Sequence, residues 1–217
     1  MKILLLGATG RTGRLVLQQA LSSGFEVNCL ARNSTRIQKR IGLEIFEGNP
    51  TKAADIERAI QGCDAIISVL NISRTSDFPW APLRTPKTFL SETMSSLIST
   101  ARKMNVRRIA ICSAWGVAET REDIPLWFKW LIEKSNIGVA YRDHERQEQI
   151  LSVTNLDWTI VRPVGLTNTR KDQEVLELFG GNDKPKLLIS RKTVANFLLK
   201  SLKRNELIGK KVVISKT

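Results

Sequence analysis

Apolar residues in this 217-residue chain fall in short runs that alternate with longer segments of helical periodicity. "KILLL" (2–6), "EVNCL" (26–30), "LEIFEG" (43–48), "DAIISVL" (64–70), "RRIAICS" (107–113), "LDWTIVRP" (156–163), "KLLIS" (186–190) and "KKVVIS" (210–215) read as strands. Amphipathic patterns between them predict helices over about 11–22, 52–60, 88–104, Arg142 to Thr154, and 191–203. Gly24 lies just past the first helix, where glycine accommodates the residue that ends a helix. Near-continuous apolar strands separated by helices predict an α/β fold, a single Rossmann-like doubly wound parallel sheet with helices on both faces.

Two segments break the rhythm. "NISRTSDFPWAPLRTP" (71–86), with three prolines, follows the fourth strand, and "GLTNTRKDQEVLELFGGNDKP" (165–185) follows the sixth. Both leave the carboxyl edge of the sheet, where such folds bind ligands, and long loops there are commonly functional. Residues 1–217 are therefore expected to form a single nucleotide-binding domain, with 165–217 as a small substrate-side part. "MKILLLGATG" runs straight from a short apolar core into glycines and reads as a first strand rather than a signal peptide. No apolar run approaches the roughly 20 residues of a membrane span, so no membrane partner is expected.

Hydrophobic and charged fractions of 42% and 25% are ordinary, whereas a net charge of +13 is not. The Lys and Arg residues are scattered, with pairs at Lys39-Arg40, Arg107-Arg108 and Lys210-Lys211 and no block of five. A basic surface that attracts anionic cofactors and substrates is expected, rather than a dedicated nucleic-acid face. Cys29, Cys63 and Cys112 lack paired or metal-like spacing, and His144 is the only histidine. Free thiols, a cytoplasmic setting and no metal site follow as expectations.

The chemistry begins where the first strand ends. Gly7, Gly10 and Gly13 in "GATGRTG" have GxxGxxG spacing, which departs from the stricter GxGxxG pattern but serves the same physics. The first glycine permits a tight exit, the second lets backbone N–H groups approach a pyrophosphate, and the third lets the helix pack close. The turn's cofactor-binding set is Gly7, Thr9, Gly10, Arg11, Thr12 and Gly13. An NAD-preferring site carries a carboxylate at the end of the second strand, but "NCLARNSTRI" places Ala31 and Arg32 there, with Ser34 and Arg36 close by. Glu26 lies at the opposite edge. Arginine suits a 2′-phosphate, so NADP(H) is the expected cofactor.

"LLLGATGRTGRLVLQQAL", "LARNSTRI", "ICSAWGV" and "LDWTIVRPVGLTN", in this order, resemble the NAD(P)-binding, NmrA-like branch of the atypical short-chain dehydrogenases/reductases, including its biliverdin-IXβ reductase-like (flavin reductase-like) enzymes. The resemblance implies that Asn49, Leu70, Asn71, Ser113 and, through backbone contacts, Arg162-Pro163-Val164 also meet the cofactor, with Ser113 beside the nicotinamide. It also implies that Glu148 points toward that end. Ordinary members pair the serine with Tyr-x-x-x-Lys, but here the only tyrosine, Tyr141, is followed four residues later by Glu145. His144 remains a candidate proton relay and shares a helix face with Glu148.

Trp80, Trp115, Trp127 and Trp130 suggest either an aromatic pocket for a flat substrate, for which Trp115 and Trp80 are the candidates, or packing and a dimer surface. Trp158, on a strand, is expected in the core. Two functions are compatible with these residues. One is NADPH-dependent hydride transfer to a flat conjugated acceptor (flavin, quinone or tetrapyrrole) without a Tyr-Lys pair. The other is a non-catalytic NADP-sensing regulator acting through a protein partner.

Overall fold

The computed structural model describes residues 1–169, 171–180 and 184–217. Each predicted strand–helix alternation is realised: β1 (Lys2–Leu6), α1 (Arg11–Ser22), β2 (Glu26–Ala31), β3 (Leu43–Glu47), α2 (Ala53–Ile60), β4 (Ala65–Ser68), α3 (Phe89–Lys103) and β5 (Arg108–Cys112). Then come α4 (Leu126–Lys134), α5 (Ile137–Ser152), β6 (Asp157–Pro163), β7 (Gly165–Thr167), β8 (Val175–Leu178), β9 (Leu188–Ser190), α6 (Arg191–Ser201) and β10 (Lys210–Lys216). The main sheet has the order β3-β2-β1-β4-β5-β6-β10-β8, parallel except where β8 runs against β10. Leu5 of β1 lies opposite Cys29 on one side and Ile67 on the other. The chain therefore reverses direction across the sheet between β1 and β4, which opens a crevice at their carboxyl ends.

Alternation along β1 explains its unbroken apolar run. Ile3 and Leu5 join one core with Val16, Leu17 and Ala20 of α1 and Val194, Ala195 and Leu198 of α6. Leu4 and Leu6 face the other way, against Ile56 of α2, Met94 and Leu97 of α3 and Leu151 of α5. Both faces are covered, so polar alternation would place a polar group in one core or the other. Trp158 is buried in the second core, as expected for its strand.

The departures lie in the second half. "PLWFKWLIEK" forms helix α4, and α5 begins at Ile137, five residues before the sequence expectation. Gly138 makes that corner possible, since a Cβ there would stand 2.2 Å from the Ile132 carbonyl oxygen. "KLLIS" does not join the main sheet. Its residues Leu188–Ser190 pair only with β7, in a separate two-stranded sheet. The 165–185 segment, expected as loop, supplies β7 and the antiparallel edge strand β8, while Arg170 and residues 181–183 lie outside the described residues. Arg108, one of the scattered basic pairs, is buried and donates to the Ser201 and Leu202 carbonyls at the end of α6, so it takes no part in a surface charge patch.

Candidate functional site

The glycine turn is built to leave backbone bare. Gly7 has φ +91, and a Cβ there would stand 3.0 Å from the Val69 carbonyl, so the ends of β1 and β4 approach as only glycine permits. The Gly10 N–H donates to the Gly7 carbonyl at 3.0 Å, closing the turn. Gly10 is the N-cap of α1 with no side-chain cap, and the first helical turn carries no acidic residue. The amides of that turn therefore face the cleft free to meet an anion, favoured by the helix dipole.

A cleft of about 590 Å³ opens over this turn, within the size range of a cofactor site. Its floor includes Gly7, Thr9, Gly10, Arg11 and Thr12; its walls include Arg32 at the end of β2, Leu70 and Asn71 after β4, and Ser113 after β5. The structure brings these predicted residues together with His144. The Arg32 guanidinium stands 5.3 Å over the Phe89 ring at the start of α3, a cation–π contact that holds it across the cleft. Phe89 is in turn set by Asp143 of α5, whose carboxylate accepts the Leu90 N–H and the Ser91 hydroxyl at 2.6 Å each. The Thr88 hydroxyl at the start of α3 donates to Glu92 at 2.6 Å rather than accepting a helix N–H, so a neighbouring helix supplies the acceptor that the helix start lacks.

Ser113 is 5% exposed, and its Oγ has no hydrogen-bond partner among the described residues although it borders the cleft. A buried hydroxyl without a partner is costly, and a ligand group would satisfy it. Next to it, burial pushes the Cys112 thiol up to about 12, which keeps it protonated and unreactive at neutral pH. His144 lies between two amides. Gln147 Nε2 donates to its Nδ1 at 2.7 Å, which leaves Nε2–H to donate to Asn71 Oδ1 at 3.3 Å. Burial pushes the imidazole down to about 4, so at neutral pH it is an uncharged hydrogen-bond donor that fixes Asn71 at the cleft wall.

Other expected residues do not line the cleft. Gly13 lies beneath the turn, packed against the Gly7 carbonyl. The Ser34 hydroxyl donates to Glu47, Arg36 is exposed, and Asn49 accepts the Thr51 N–H. Glu148 departs from the expectation that it points toward the nicotinamide end, and the Arg162 side chain joins it in the interior. They are 1% exposed each and paired through Arg162 Nε to Glu148 Oε1 at 3.1 Å and Nη2 to Oε2 at 2.5 Å. Glu119 completes the clamp at 2.7 Å, reached because Ala118 adopts φ 50 just before it. Two buried charges satisfy one another here, away from the cleft. Pro163 and Val164 are buried in sheet contacts, the Pro163 carbonyl accepting the Trp115 N–H and the Val164 N–H donating to Ile214.

The aromatic pocket is also redrawn. Trp115 is in the core at 5% exposure, and the Trp80 indole donates to the Lys134 carbonyl at 2.6 Å, tying the long loop to the end of α4. Neither borders the cleft. Tyr141 is packed on Phe128, its hydroxyl donating to the Trp115 carbonyl at 3.3 Å, and burial raises its pKa. Cleft residues that sequence reasoning did not single out include Phe89, Arg74 and Asp77 of the 71–77 strap, Leu166 and Arg191. Position at the sheet's carboxyl edge was their only signal, since Arg191 follows a predicted strand directly.

This arrangement has a family. A family model for NAD(P)H-binding proteins matches residues 7–205, and the chain belongs to that family. The expectation of a domain that binds a nicotinamide dinucleotide is thereby borne out. The chain is 29% identical over 217 residues to the photosystem II assembly factor Ycf39 of Trieres chinensis, covering 95% of this chain and 61% of that protein. It is 27% identical to sanguinarine reductase of Eschscholzia californica, covering 96% and 86%. The chain thus spans about three fifths of the Ycf39 protein it matches. Among solved structures, ChuY, an anaerobillin reductase of Escherichia coli O157:H7, superposes with TM-score 0.81 at 19% identity, covering 100% of this chain and 97% of that one. A short-chain dehydrogenase/reductase of Veillonella parvula in complex with NADP superposes with TM-score 0.80 at 17% identity, covering 99% and 94%. Both likenesses are of fold. Among the described residues no helix is long and apolar enough to cross a membrane.

Proposed function

We propose that this protein is an NADPH-dependent reductase of a flat, conjugated small-molecule acceptor such as a flavin, quinone or tetrapyrrole. The observation that carries the reading is the buried, unpartnered Ser113 hydroxyl in the same cleft as the uncapped amides of α1. In this reading those amides and Arg11 hold the diphosphate, Arg32 holds the 2′-phosphate, and Ser113 and Asn71 orient the reacting rings. NADPH supplies a hydride to the electron-poor acceptor, whose accompanying proton comes from water. The protein's part is orientation and shielding, because Tyr141 is packed away and His144 is held neutral. The 165–217 part borders the acceptor end through Leu166 and Arg191. The three thiols, all free, suit a reducing compartment such as the cytoplasm, while the relatives include chloroplastic proteins of Arabidopsis thaliana.

Steady-state NADPH oxidation with a panel of flavins, quinones and tetrapyrroles tests this. Turnover that is lost in Ser113→Ala while NADP⁺ binding persists is the expected result; tight NADP⁺ binding with no turnover of any acceptor refutes it. A second reading is supported by the match to assembly factors over most of the chain: an NADP-responsive protein that acts through a protein partner. That reading predicts the refuting result, together with a partner interaction that changes on addition of NADPH.

A further inference from the structure

We infer that the mouth of the cleft holds a second anion subsite, built by Arg74 and Arg191 around a position that the chain's own Asp77 fills, and that it takes a phosphate or carboxylate carried by the acceptor. This rests on the reductase reading and specifies the substrate class of that same cleft.

The 71–77 strap folds over the cleft, and its last residue reaches back across 66 positions to the phosphate turn. Asp77 accepts two hydrogen bonds from Arg11, Nη1 to Oδ2 at 2.9 Å and Nη2 to Oδ1 at 2.7 Å. Arg11 holds this carboxyl below the usual carboxylate range, with Arg191 and Arg74 acting in the same direction. Arg11 thus grips the carboxylate directly, and Arg74 and Arg191 line the same cleft beside it. The pair is open to water, with Asp77 78% and Arg11 57% exposed, and such surface pairs bind weakly enough for an incoming anion to replace Asp77.

Arg191 gives the subsite its rigidity. Its Nη1 donates to the Leu166 carbonyl at 3.2 Å and to Asn168 Oδ1 at 2.7 Å, which anchors the guanidinium at the wall. Its Nε and Nη2 make no hydrogen bond among the described residues. Partial burial and the nearby Arg11 depress its pKa, as befits a cation awaiting a counter-charge.

Topology assigns that counter-charge to the acceptor. In the strand order, Arg32 at β2 lies on one side of β1, while Ser113 at β5 lies on the other. Arg191 opens α6, which packs along α1 and also reaches β5 and β6 on that second side. The adenosine phosphate belongs with Arg32 and the diphosphate with α1. Arg191 and Arg74 remain for an anion that arrives with the acceptor. A planar fork of donors fixes a phosphate or carboxylate in orientation as well as position.

The test compares riboflavin with flavin mononucleotide, which share a ring system and differ by one phosphate. Binding to the NADP⁺-loaded protein is followed by flavin fluorescence, and reduction by NADPH oxidation. The mononucleotide is expected to bind about tenfold tighter or more, as one charge-assisted contact implies. That preference should collapse toward unity in Arg191→Gln and in Arg74→Gln, and increase in Asp77→Asn, which removes the competing carboxylate. Inorganic phosphate should displace the mononucleotide's advantage but leave riboflavin binding as it was. Equal binding of the two flavins, or binding of neither, overturns the subsite. So does a loss of NADP⁺ affinity in Arg191→Gln equal to the loss for the mononucleotide, which would give the arginine to the cofactor. If the phosphate preference follows the variants but no acceptor is reduced, the subsite stands and the reductase reading falls.

Discussion

Replacing Gly13 by alanine should damage the fold first and ligand binding second. A Cβ at that position would stand 2.0 Å from the Gly7 oxygen, 2.7 Å from the Gly7 carbonyl carbon and 3.0 Å from the Ala8 Cα. All three are backbone atoms of a turn locked by the Gly10 N–H, so no side chain can swing aside. An ordinary carbon–oxygen contact needs about 3.3 Å, so α1 must retreat by roughly 1.3 Å. That movement opens the packing of Val16, Leu17 and Ala20, which are buried against the sheet. Overpacking of this kind costs about 1–3 kcal/mol, equivalent to a fall in Tm of roughly 2–12 °C for a chain of this size. Gly10→Ala provides the contrast, because a Cβ there meets only the Gly7 oxygen, at 3.3 Å. Its methyl would instead occupy the space of the ligand. Thermal melts by circular dichroism and NADPH fluorescence titrations separate the two. Gly10→Ala should retain its Tm within about 2 °C yet lose NADPH affinity by tenfold or more, the scale of a displaced charge-assisted hydrogen bond. A Gly13→Ala protein that melts like the parent would refute the close-approach argument, and unaltered NADPH binding by Gly10→Ala would refute the cradle.

Arg32→Ala should weaken NADPH by about ten- to a hundredfold in calorimetry and leave NADH affinity nearly unchanged, as expected for loss of charge-assisted bonds to a 2′-phosphate; an equal effect on both nucleotides would remove that role. Glu148→Gln strips one partner from the buried Arg162 and should cost about 3–5 kcal/mol in denaturant unfolding, a loss that a merely surface pair would not produce. The partner Glu119 is opposed by partial burial but held by Arg162 down to about 2, so its contribution is present above its unfolded pKa and fades as pH falls from about 4.5 toward 2; Glu119→Gln should flatten that part of the acid-stability curve. His144 has a folded pKa of about 4, below its unfolded value, so its contribution is complete above about pH 6.5 and is lost as pH falls toward 4. Its NMR titration midpoint should lie near 4, and a midpoint above 6 would show that the imidazole is not buried as described.

Much of the site was legible before any coordinates. Gly7, Thr9, Gly10, Arg11 and Thr12 of the turn and Arg32 after β2 follow from local pattern, Ser113 after β5 from the family resemblance, and all meet in one cleft. The exceptions share a cause. The family resemblance places Arg162 and Glu148 at the site, yet their side chains, 14 positions apart, neutralise one another in the interior. Trp115 was offered to the substrate because aromatics line pockets, yet it packs in the core, while Phe89, unremarked in the sequence, carries Arg32. In each case the side chain's role depended on which distant segment came to lie against it.

Periodicity alone determined the alternation of strands and helices, the parallel sheet and the glycine turn, because each depends on residues within a few positions of one another. Tertiary structure decided the rest: that β10 slots beside β6 while "KLLIS" leaves the sheet, that Asp143 caps a helix 53 residues away, and that Asp77 closes on Arg11. The physical reason is that a pattern of apolar positions says which face is buried but not what buries it. Charge pairing, capping across helices and the pKa of a buried imidazole are set by that second fact.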